Sequence, residues 1–564
     1  MAEWSPKHEA AEASALDIRG KTIPRPVVQI LHNRGYDTTE KIEKFFAPDL
    51  DQLYDPFLIP DMDQAVQRLT RAIHDKENIL IHGDYDTDGI TATALLYNRL
   101  QELGCHTHFF LPSRFEEGYG LSRTGIDHAV KQKCTLLVAV DCGITAVSEI
   151  AYAREQHIEV IICDHHQPPP ELPAAYAILN PKLPGSAYPF QDLAGVGVTF
   201  KLLQALYIRL GRPTEEVFED LDLVALGSVV DVVPLVDENR CLVKYGIKQI
   251  KVGRRPAFQA LLAETGISGA VYAYHLGFRL GPRINACGRL HDAREALNLF
   301  LSEDPKQCAE IVRQLSQDNQ ERQTIQDRIR EEARAAIERD GLQQERVIVL
   351  GHPSWHEGVV GIVAARLSED YHRPTILLAI KEETAKGSGR SIPGFDLAAA
   401  LYESRDFLMK FGGHKQAAGL ELKRDNLDGF RHRINEYAAG LPSSVFVRKR
   451  HYDIRLDLKE ITPEVVRFLS FFEPTGYDNP EPLFLSEDLE VVGIPRVVAG
   501  RHLKFTLRQG ELHYPVIAFQ QAEQIMHFVP GRTRLDCLYA IDEDSYTGKS
   551  KIELKLKEWE VRCP

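Results

Sequence analysis

Residues 78–89 are Asn-Ile-Leu-Ile-His-Gly-Asp-Tyr-Asp-Thr-Asp-Gly, a short apolar run followed by acidic residues and then by a stretch rich in Thr and Ala. The apolar runs 136–140 and 160–163 are also followed at once by polar residues. Short buried strands that alternate with helices are typical of a parallel β-sheet covered by helices on both faces. We therefore predict an α/β domain whose ligand site lies beyond the carboxyl ends of its strands, where these polar residues gather.

The first polar cluster contains His82 and the carboxylates of Asp84, Asp86 and Asp88. Carboxylates at alternating positions of one loop repel one another strongly unless cations neutralise them. An Asp-rich turn that caps the next helix is the alternative, but a cap needs only one Asp. The cluster therefore favours a metal site over a structural turn.

Further polar residues follow other apolar runs, namely Asp141, His165 and His166 after Asp164, and Asp231 within the apolar stretch 225–234. A carboxylate in so apolar a stretch is costly to bury unless it is paired or bound to a metal. We expect all of these residues to lie at strand ends, which would bring His and carboxylate ligands from four strands together. This mixture, without a thiol pattern, suits Mn²⁺ or Mg²⁺ better than structural zinc. Two such ions about 3.5 to 4 Å apart would activate a water and stabilise both oxygens of an in-line phosphoryl displacement.

The rest of the chain indicates further domains. The polar stretch 305–340 has a thin apolar stripe, which predicts one long helix that connects two domains. A second, smaller α/β unit opens with the apolar run 346–350 and ends near the linker at 442–444. Short strands separated by turn residues fill the remainder and predict an OB-fold-like barrel. The predicted divisions are an N-terminal segment 1–50, a metal-site domain 51–300, a connecting helix 301–342, a smaller α/β domain 343–442 and a barrel domain 443–564.

Composition limits the class of protein. The chain has 564 residues and a formal net charge of −14, which argues against a broadly basic surface but allows a local basic track. Its nine cysteines form no C-x-x-C pair, so we expect reduced thiols rather than a disulfide framework or a zinc knuckle. No apolar run has the length of a signal sequence or approaches the roughly 18 to 20 residues that span a bilayer. These features predict a cytoplasmic protein that does not contact a membrane.

The first cluster, together with Asp164-His165-His166, resembles the DHH phosphoesterase superfamily, which is named for that tripeptide. Residues 411–419, Phe-Gly-Gly-His-Lys-Gln-Ala-Ala-Gly, resemble the signature of the DHH-associated domain. The segments 281–290 (Gly-Pro-Arg-Ile-Asn-Ala-Cys-Gly-Arg-Leu) and 355–364 (Trp-His-Glu-Gly-Val-Val-Gly-Ile-Val-Ala) are similar to motifs of the RecJ family of bacterial exonucleases. The implied architecture is an α/β, parallel-sheet DHH domain joined by a long helix to a smaller α/β DHH-associated domain and followed by a β-rich, OB-fold-like domain.

One segment departs from the RecJ pattern. Residues 476–480 are Gly-Tyr-Asp-Asn-Pro, whereas a Gly-x-Gly-Asn-Pro form is usual in the family. Asp tolerates the left-handed backbone conformation, so we expect the turn to survive with Asp478 in that position.

The resemblance implies how two metal ions would be held. His82, Asp86 and Asp141 would bind one ion. The other would be bound by Asp88, Asp141, His165 and Asp231, so that Asp141 bridges the two. Asp84 would be an outer carboxylate that positions water. His166 would face the scissile phosphate and neutralise charge in the transition state, with a purely supporting role as the alternative.

The resemblance also implies contacts with the substrate. Arg114 and Tyr119 match a segment near the cleft. Ser388 and Arg390 match the part of the DHH-associated domain that grips a 5′ phosphate, for which a hydroxyl and a guanidinium between glycines are suited. Without the family, Gly-Ser-Gly-Arg would predict only a flexible turn.

The remaining implied contacts have structural alternatives. His414 would contact the nucleic-acid backbone, or it would brace its own glycine-rich loop. Arg283, Asn285 and Arg289 would line the substrate channel, or they would form structural salt bridges.

As a whole, the resemblance implies a single-stranded-DNA-specific 5′→3′ exonuclease that uses Mn²⁺ or Mg²⁺, releases 5′-mononucleotides and acts in recombination and repair. Single-stranded DNA is the implied partner, with a single-strand-binding protein and a RecQ-type helicase as further partners. A DHH phosphodiesterase for oligonucleotides or cyclic dinucleotides is one alternative, but such chains usually lack the connector and the barrel. A catalytically inactive replication scaffold is the other, and it would have lost ligands that are all present here.

Overall fold

A computed structural model of the chain describes residues 3–8, 13–18, 20–114, 116–529, 531–544 and 551–562. The N-terminal elements are β1 (Glu3–Pro6), β2 (Leu16–Ile18), β3 (Lys21–Ile23), α1 (Arg25–Asn33) and α2 (Thr39–Phe46). The strands and helices of the first α/β domain then begin with α3 (Met62–Asp75), β4 (Asn78–His82), α4 (Thr87–Glu102), β5 (His106–Phe110), α5 (Arg123–Lys131), β6 (Leu136–Val140), α6 (Val147–Glu155), β7 (Glu159–Cys163) and β8 (Ala177–Leu179).

The five strands β4 to β8 form one parallel sheet in the order β5-β4-β6-β7-β8, as predicted. Side chains alternate between its faces, so Ile79 and Ile81 of β4 pack into the larger core while Leu80 packs into the smaller core that contains Ile126 of α5. The carboxyl ends of the strands lie at one edge of the sheet. The polar clusters that follow β4, β6 and β7 therefore meet there.

The rest of this domain is helical: α7 (Gly195–Leu210), α8 (Glu215–Phe218), α9 (Leu221–Val230), α10 (Asp237–Val252), α11 (Pro256–Thr265), α12 (Ala273–His275), α13 (Gly281–Leu290) and α14 (Arg294–Leu301). The prediction that Asp231 follows a strand was wrong, because Asp231 is the C-cap of helix α9. A continuous apolar run does not distinguish a buried strand from a buried helix. Nine of the ten residues of α9 are apolar or small, so the sequence of this segment is compatible with a strand as well as with a helix.

The long connecting helix is α15 (Pro305–Arg339), as predicted. Asp304 caps it by accepting a hydrogen bond from the Lys306 amide at 2.9 Å, and Pro305 begins it. Leu315, in its first half, belongs to the core of the first domain, and Ile329, in its second half, belongs to a core of the second. The apolar residues of this helix therefore pack against the first domain in its first half and against the second domain in its second half.

The second α/β domain contains β9 (Ile348–His352), α16 (Val360–Tyr371), β10 (Thr375–Ile380), β11 (Thr384–Arg390), α17 (Leu397–Glu403), β12 (Leu408–Gly413), β13 (Ala417–Lys423) and α18 (Leu427–Ala439). Its five strands lie in the order β12-β13-β11-β10-β9, and only β9 and β10 are parallel. The Gly-Ser-Gly-Arg segment belongs to the regular strand β11, so its side chains have fixed directions that a flexible turn would not give them.

The C-terminal elements are β14 (Lys449–Tyr452), β15 (Ile454–Arg455), α19 (Pro463–Leu469), β16 (Phe484–Val498), β17 (His502–Gln509), β18 (Leu512–Ala518), β19 (Arg534–Asp544) and β20 (Lys551–Val561). The long strand β16 pairs with both β17 and β19, which closes the sheet into the predicted OB-like barrel. Before the barrel, Asp478 has a φ of 57°, so the turn keeps its left-handed residue as expected.

The N-terminal segment belongs spatially to the C-terminal region. Strand β1 pairs in parallel with β14, and Val27 and Ile30 of α1 share a core with Phe472 and the barrel strands. Eight of the nine cysteines are free and buried, and Cys563 lies outside the described residues. Within the described residues, no helix combines the length and the apolar character needed to cross a membrane.

Candidate active site

The loop between β4 and α4 is held rigidly. The Asp86 carboxylate caps α4 by accepting hydrogen bonds from the amides of Asp88 at 3.0 Å and Gly89 at 3.1 Å. Thr87 donates from its amide (2.9 Å) and its hydroxyl (2.8 Å) to the side-chain oxygen of Asn285 on α13. Asn285, which was predicted to contact the substrate, therefore holds the loop that carries Asp84, Asp86 and Asp88 (the acidic loop) in place.

Asp141 follows β6 in a strained conformation. Its φ of 59° lies in the left-handed region, which is uncommon outside glycine and is concentrated at functional sites. Its carboxylate faces Gly195 at the start of α7, where an added β-carbon would lie only 2.7 Å from Asp141 Oδ1. Only glycine at position 195 allows α7 to approach the carboxylate so closely.

Three overlapping groups of potential metal ligands lie around Asp141. Asp84, Asp86 and Asp141 form one group, Asp88, His165 and Asp231 form a second, and Asp141, His165 and His166 form a third, with the ligand atoms of each group within 4.8 Å of one another. His165 Nε2 lies 3.2 Å from Asp141 Oδ1, 3.6 Å from Asp231 Oδ2 and 3.8 Å from Asp88 Oδ2. The residues expected around a bridging Asp141 are therefore brought together, apart from His82.

Three of these buried ligand atoms have no hydrogen-bond partner: Asp84 Oδ1, Asp141 Oδ1 and His165 Nε2. Buried polar atoms are nearly always satisfied, so a shared set of unsatisfied ones calls for a ligand. Carboxylate oxygens with one imidazole nitrogen form a donor set that fits Mn²⁺ or Mg²⁺.

The electrostatics of the site also favour a cation. Burial, and then repulsion from Asp86, raise the pKa of Asp84 well above its usual value and that of Asp88 to about 7. Burial and then Asp88 raise the pKa of Asp141. For His165, burial and then the neighbouring His166 lower the pKa to about 3, so its imidazole is neutral, as a metal ligand must be. Divalent ions would remove the repulsion among the carboxylates.

The structure does not place His82 among the potential ligands. His82 shares the strand face of Leu80, so its ring points toward α5, where Nε2 accepts a 3.4 Å hydrogen bond from the amide of Ser122. Burial lowers the pKa of His82 to about 4. Asp84, expected as an outer carboxylate, instead lies with Asp86 and Asp141 in one group of potential ligands.

Asp164 organises the histidine pair, a role that the sequence-based assignment left out. Its Oδ1 accepts hydrogen bonds from the His165 amide (2.8 Å) and from His166 Nδ1 (2.7 Å), and its Oδ2 accepts one from the Ile144 amide (2.9 Å). Burial alone would raise the pKa of Asp164, but the hydrogen bond and charge of His166 lower it to about 2. The predicted contact Tyr119 lies nearby, with its hydroxyl 3.0 Å from His166 Nε2.

A group of arginines faces this centre from both α/β domains. Arg114, after β5, lies over the ring of Tyr85 in the acidic loop, with 5.5 Å between its Cζ and the ring centroid. Burial, and then the charges of Arg114 and Arg322, lower the pKa of Arg289 to about 10. Burial and then Arg114 lower the pKa of Arg390. Arg114, Arg289 and Arg390 therefore concentrate positive charge in one place, which suits an anion such as a phosphate.

Ser388 and Arg390 lie in adjacent outward positions of β11, next to the first turn of α16. A β-carbon added to Gly361 would lie 3.2 Å from both Ser388 Oγ and Arg390 Nη2, so both side chains pack closely against the start of α16. The amide groups at the start of a helix favour a phosphate, and here they accompany a hydroxyl and a guanidinium. Ser388, Arg390 and the start of α16 therefore lie together, an arrangement that is suited to a phosphate.

Two predicted substrate residues lie elsewhere. Arg283 Nε donates to Ser316 Oγ on α15 at 3.0 Å, so its side chain is directed at the connecting helix. His414 occupies the exposed turn between β12 and β13, where its amide donates to the Ala417 carbonyl at 2.8 Å. In the described part of the chain, neither residue forms a hydrogen bond or an ion pair with the three arginines or with the potential metal ligands around Asp141.

Comparisons with known proteins agree with this arrangement. Three family models match the chain: the DHH family N-terminal domain over residues 78–228, the DHHA1 domain over 344–440 and the RecJ OB domain over 452–558. The chain is 36% identical over 562 residues to the single-stranded-DNA-specific exonuclease RecJ of Dickeya dadantii, covering 95% of this chain and 96% of the other. It belongs to the RecJ family. RecJ of Escherichia coli is 39% identical over 506 residues, covering 86% of each chain.

The fold agrees with a solved RecJ structure. The crystal structure of RecJ from Thermus thermophilus in complex with Mn²⁺ matches with a TM-score of 0.83 and 31% identity, covering 96% of this chain and 76% of the other. The RecJ family consists of metal-dependent exonucleases, and this chain keeps the acidic centre that such an activity requires. The chain is therefore a metal-dependent exonuclease.

Proposed function

We propose that this RecJ-family chain is a single-stranded-DNA-specific 5′→3′ exonuclease that releases 5′-mononucleotides by a two-metal mechanism and acts in DNA recombination and repair. The observation that carries the mechanism is that the group Asp84, Asp86 and Asp141 lies next to the group Asp88, His165 and Asp231, with His165 Nε2 3.2 Å from Asp141 Oδ1. The substrate is that of the RecJ relatives, which are named as single-stranded-DNA-specific exonucleases.

The residues divide between two ions of Mn²⁺ or Mg²⁺. Asp84, Asp86 and Asp141 would hold one ion, and Asp141 together with Asp88, His165 and Asp231 would hold the other. Ions held there would supply an activated water and neutralise charge on the attacking and leaving oxygens of the phosphodiester. Asp86 has the additional task of capping α4, which fixes its carboxylate before any ion binds.

His166 is the residue best placed to act on the phosphate. The Asp164 carboxylate opposes the effect of burial and raises the pKa of His166, which favours the imidazolium form. The imidazolium would neutralise charge that develops on the phosphate, while Asp164 and the Tyr119 hydroxyl hold the ring in place. The proton stays on His166, so the ring acts by its charge and its hydrogen bond.

The positions of Ser388 and Arg390 on β11 support the proposed polarity. Ser388, Arg390 and the start of α16 would bind a 5′-terminal phosphate, with Arg114 and Arg289 between that pocket and the acidic centre. A strand anchored by its 5′ phosphate presents the adjacent phosphodiester to the metal site. Cleavage there releases a nucleotide that retains its 5′ phosphate.

The barrel domain would bind the strand beyond the active site. OB-fold barrels bind single strands through stacking on aromatic rings and through basic grooves, and Phe519 offers an exposed ring at the end of β18 beside His502. The free, buried cysteines support a reducing compartment such as the cytoplasm. A single-strand-binding protein and a RecQ-type helicase as partners stay predictions from the family resemblance.

Digestion of end-labelled DNA tests the proposal. With Mn²⁺, a 5′-labelled single strand should release labelled mononucleotide at once, while the same strand labelled at its 3′ end should shorten as a ladder. A blunt duplex should resist, and Asp141→Ala should abolish both reactions. Early release of the 3′ label would reject the polarity, activity confined to dinucleotides would reject the substrate, and binding without hydrolysis would reject the enzyme.

A further inference from the structure

A second group of potential metal ligands lies where α13, α14 and α15 meet. Cys287 on α13, Glu295 on α14 and Asp318 on α15 place one ligand atom each within 4.8 Å of one another. None of the three belongs to the groups around Asp141. The exonuclease mechanism makes no use of them.

Asp318 is the residue that calls for a ligand. It is only 2% exposed, yet its Oδ2 has no hydrogen-bond partner. Its Oδ1 accepts a 2.9 Å hydrogen bond from Gln314, and no Lys or Arg in the described part of the chain lies within ion-pair distance of it. A carboxylate oxygen that is buried without a partner is costly, because burial removes its hydration without replacing it.

Cys287 and His291 add softer ligands to the carboxylates. The buried Cys287 thiol lies near Asp318 and Glu295, and burial followed by these two charges raises its pKa to about 12. His291, at the end of α13, has its Nε2 3.6 Å from Asp318 Oδ1 and 3.9 Å from Glu321. A thiol and two carboxylates therefore lie within 4.8 Å of one another, and the His291 imidazole reaches one of these carboxylates, Asp318, from the end of α13. The thiol donates to the Asp292 carbonyl at 2.6 Å, a hydrogen bond that a bound metal would replace.

We propose that Cys287, His291, Glu295 and Asp318 bind a zinc ion that is separate from the catalytic metals. Four ligands from thiolate, imidazole and carboxylate match the composition of tetrahedral zinc sites, and a thiolate selects zinc over Mn²⁺ or Mg²⁺. Ligand atoms around such an ion lie roughly 3.3 to 3.8 Å apart, given metal–ligand distances of about 2.0 to 2.3 Å. Binding exchanges the Cys287 S–H bond for a zinc–sulfur bond, and the proton leaves to solvent.

The ion would link three helices, one of which, α13, contacts the loop that carries the acidic residues of the active site. Helix α13 carries Asn285, whose side chain fixes Thr87 in the acidic loop, and α15 is the connecting helix between the α/β domains. Zinc bound between α13, α14 and α15 would fix α13, and with it Asn285, relative to the connecting helix α15. It contributes stiffness and no chemistry to phosphodiester hydrolysis.

Cobalt substitution tests the site through its thiolate. Co²⁺ bound to a cysteine thiolate has a near-ultraviolet charge-transfer band, and no thiol belongs to the groups around Asp141, so the band reports this site alone. Purified full-length protein, stripped with chelator and titrated with Co²⁺, should develop the band, and the protein as purified should contain about one zinc per chain. Asp141→Asn should keep the band, which separates this result from the fate of the exonuclease proposal.

Variants decide the assignment. Cys287→Ser should lose the band, whereas Cys308→Ser, at another buried cysteine on α15 outside the group, should keep it. Asp318→Asn preserves shape and thiol, and it should weaken Co²⁺ binding by at least about tenfold, the smallest effect usual for groups that support a metal. It is also the decisive variant if Cys287→Ser does not fold. Absence of the band from the wild type, its persistence in Cys287→Ser, or unchanged Co²⁺ affinity in Asp318→Asn would overturn the proposal.

Discussion

The imidazole Nε2 of His165 lies 3.2 Å from Oδ1 of Asp141, and both atoms are buried without a hydrogen-bond partner. Two unsatisfied ligand atoms that face the same space are costly for the protein alone. They become favourable when a cation binds between them. This relationship links the ends of β6 and β7 and explains why the sheet holds its acidic residues so close together.

Removal of divalent metal should destabilise the protein, because the carboxylates around Asp141 then repel one another without compensation. We expect chelator to lower the melting temperature of the domain that holds the site, by about 2 to 4 °C for each kcal/mol lost in a unit of roughly 150 to 250 residues. Asp141→Asn removes one carboxylate, so it should raise the melting temperature of the metal-free protein and reduce the gain from Mn²⁺. Scanning calorimetry measures this, with Asp127→Asn on the exposed face of α5 as the control. Equal melting temperatures with and without metal would contradict the account.

Asp84 and His82 should differ in their effect on metal binding. Asp84→Asn should weaken Mn²⁺ binding by roughly 10- to 100-fold or more, because the structure places that carboxylate with Asp86 and Asp141. His82→Gln should change Mn²⁺ affinity by less than about tenfold, since its ring contacts Ser122 instead. Titration calorimetry distinguishes the two, and a larger loss in His82→Gln would restore the sequence-based assignment.

Much of the fold follows from the sequence, because each β-strand of the parallel sheet is a short apolar run with polar residues directly after it. The details that did not follow depend on packing. Asp231 ends a helix because tertiary burial, not local periodicity, decides the structure of an apolar run. His82 turns away from the acidic centre because strand alternation places it on the face of Leu80, and no motif shows which face will receive the metals.

Asp164→Asn should impair catalysis with little effect on substrate binding. The substitution weakens the hydrogen bond to His166 Nδ1 and removes the charge that favours the imidazolium. We expect kcat to fall by about 10- to 100-fold, with KM nearly unchanged, because the lost interaction acts on the transition state. Steady-state kinetics on single strands measures both constants. A rise in KM at constant kcat would assign Asp164 to substrate binding.

Arg390→Ala should reduce the preference for a 5′ phosphate. On 5′-phosphorylated single strands we expect kcat/KM to fall by about 10- to 100-fold, the loss of one or two charge-assisted hydrogen bonds, with a smaller change on 5′-hydroxyl strands. Arg283→Ala is the matched control, because Arg283 is bonded to Ser316 on the connecting helix. An equal loss on both substrates would show that Arg390 does not read the terminal phosphate.

Electron paramagnetic resonance of the Mn²⁺-loaded protein tests the two-metal centre most directly. Two ions that share the Asp141 carboxylate would be spin-coupled, so the wild type should give the broad spectrum of a coupled pair. Asp141→Asn should give the spectrum of isolated Mn²⁺ or none. An isolated-ion spectrum from the saturated wild type would contradict the shared centre.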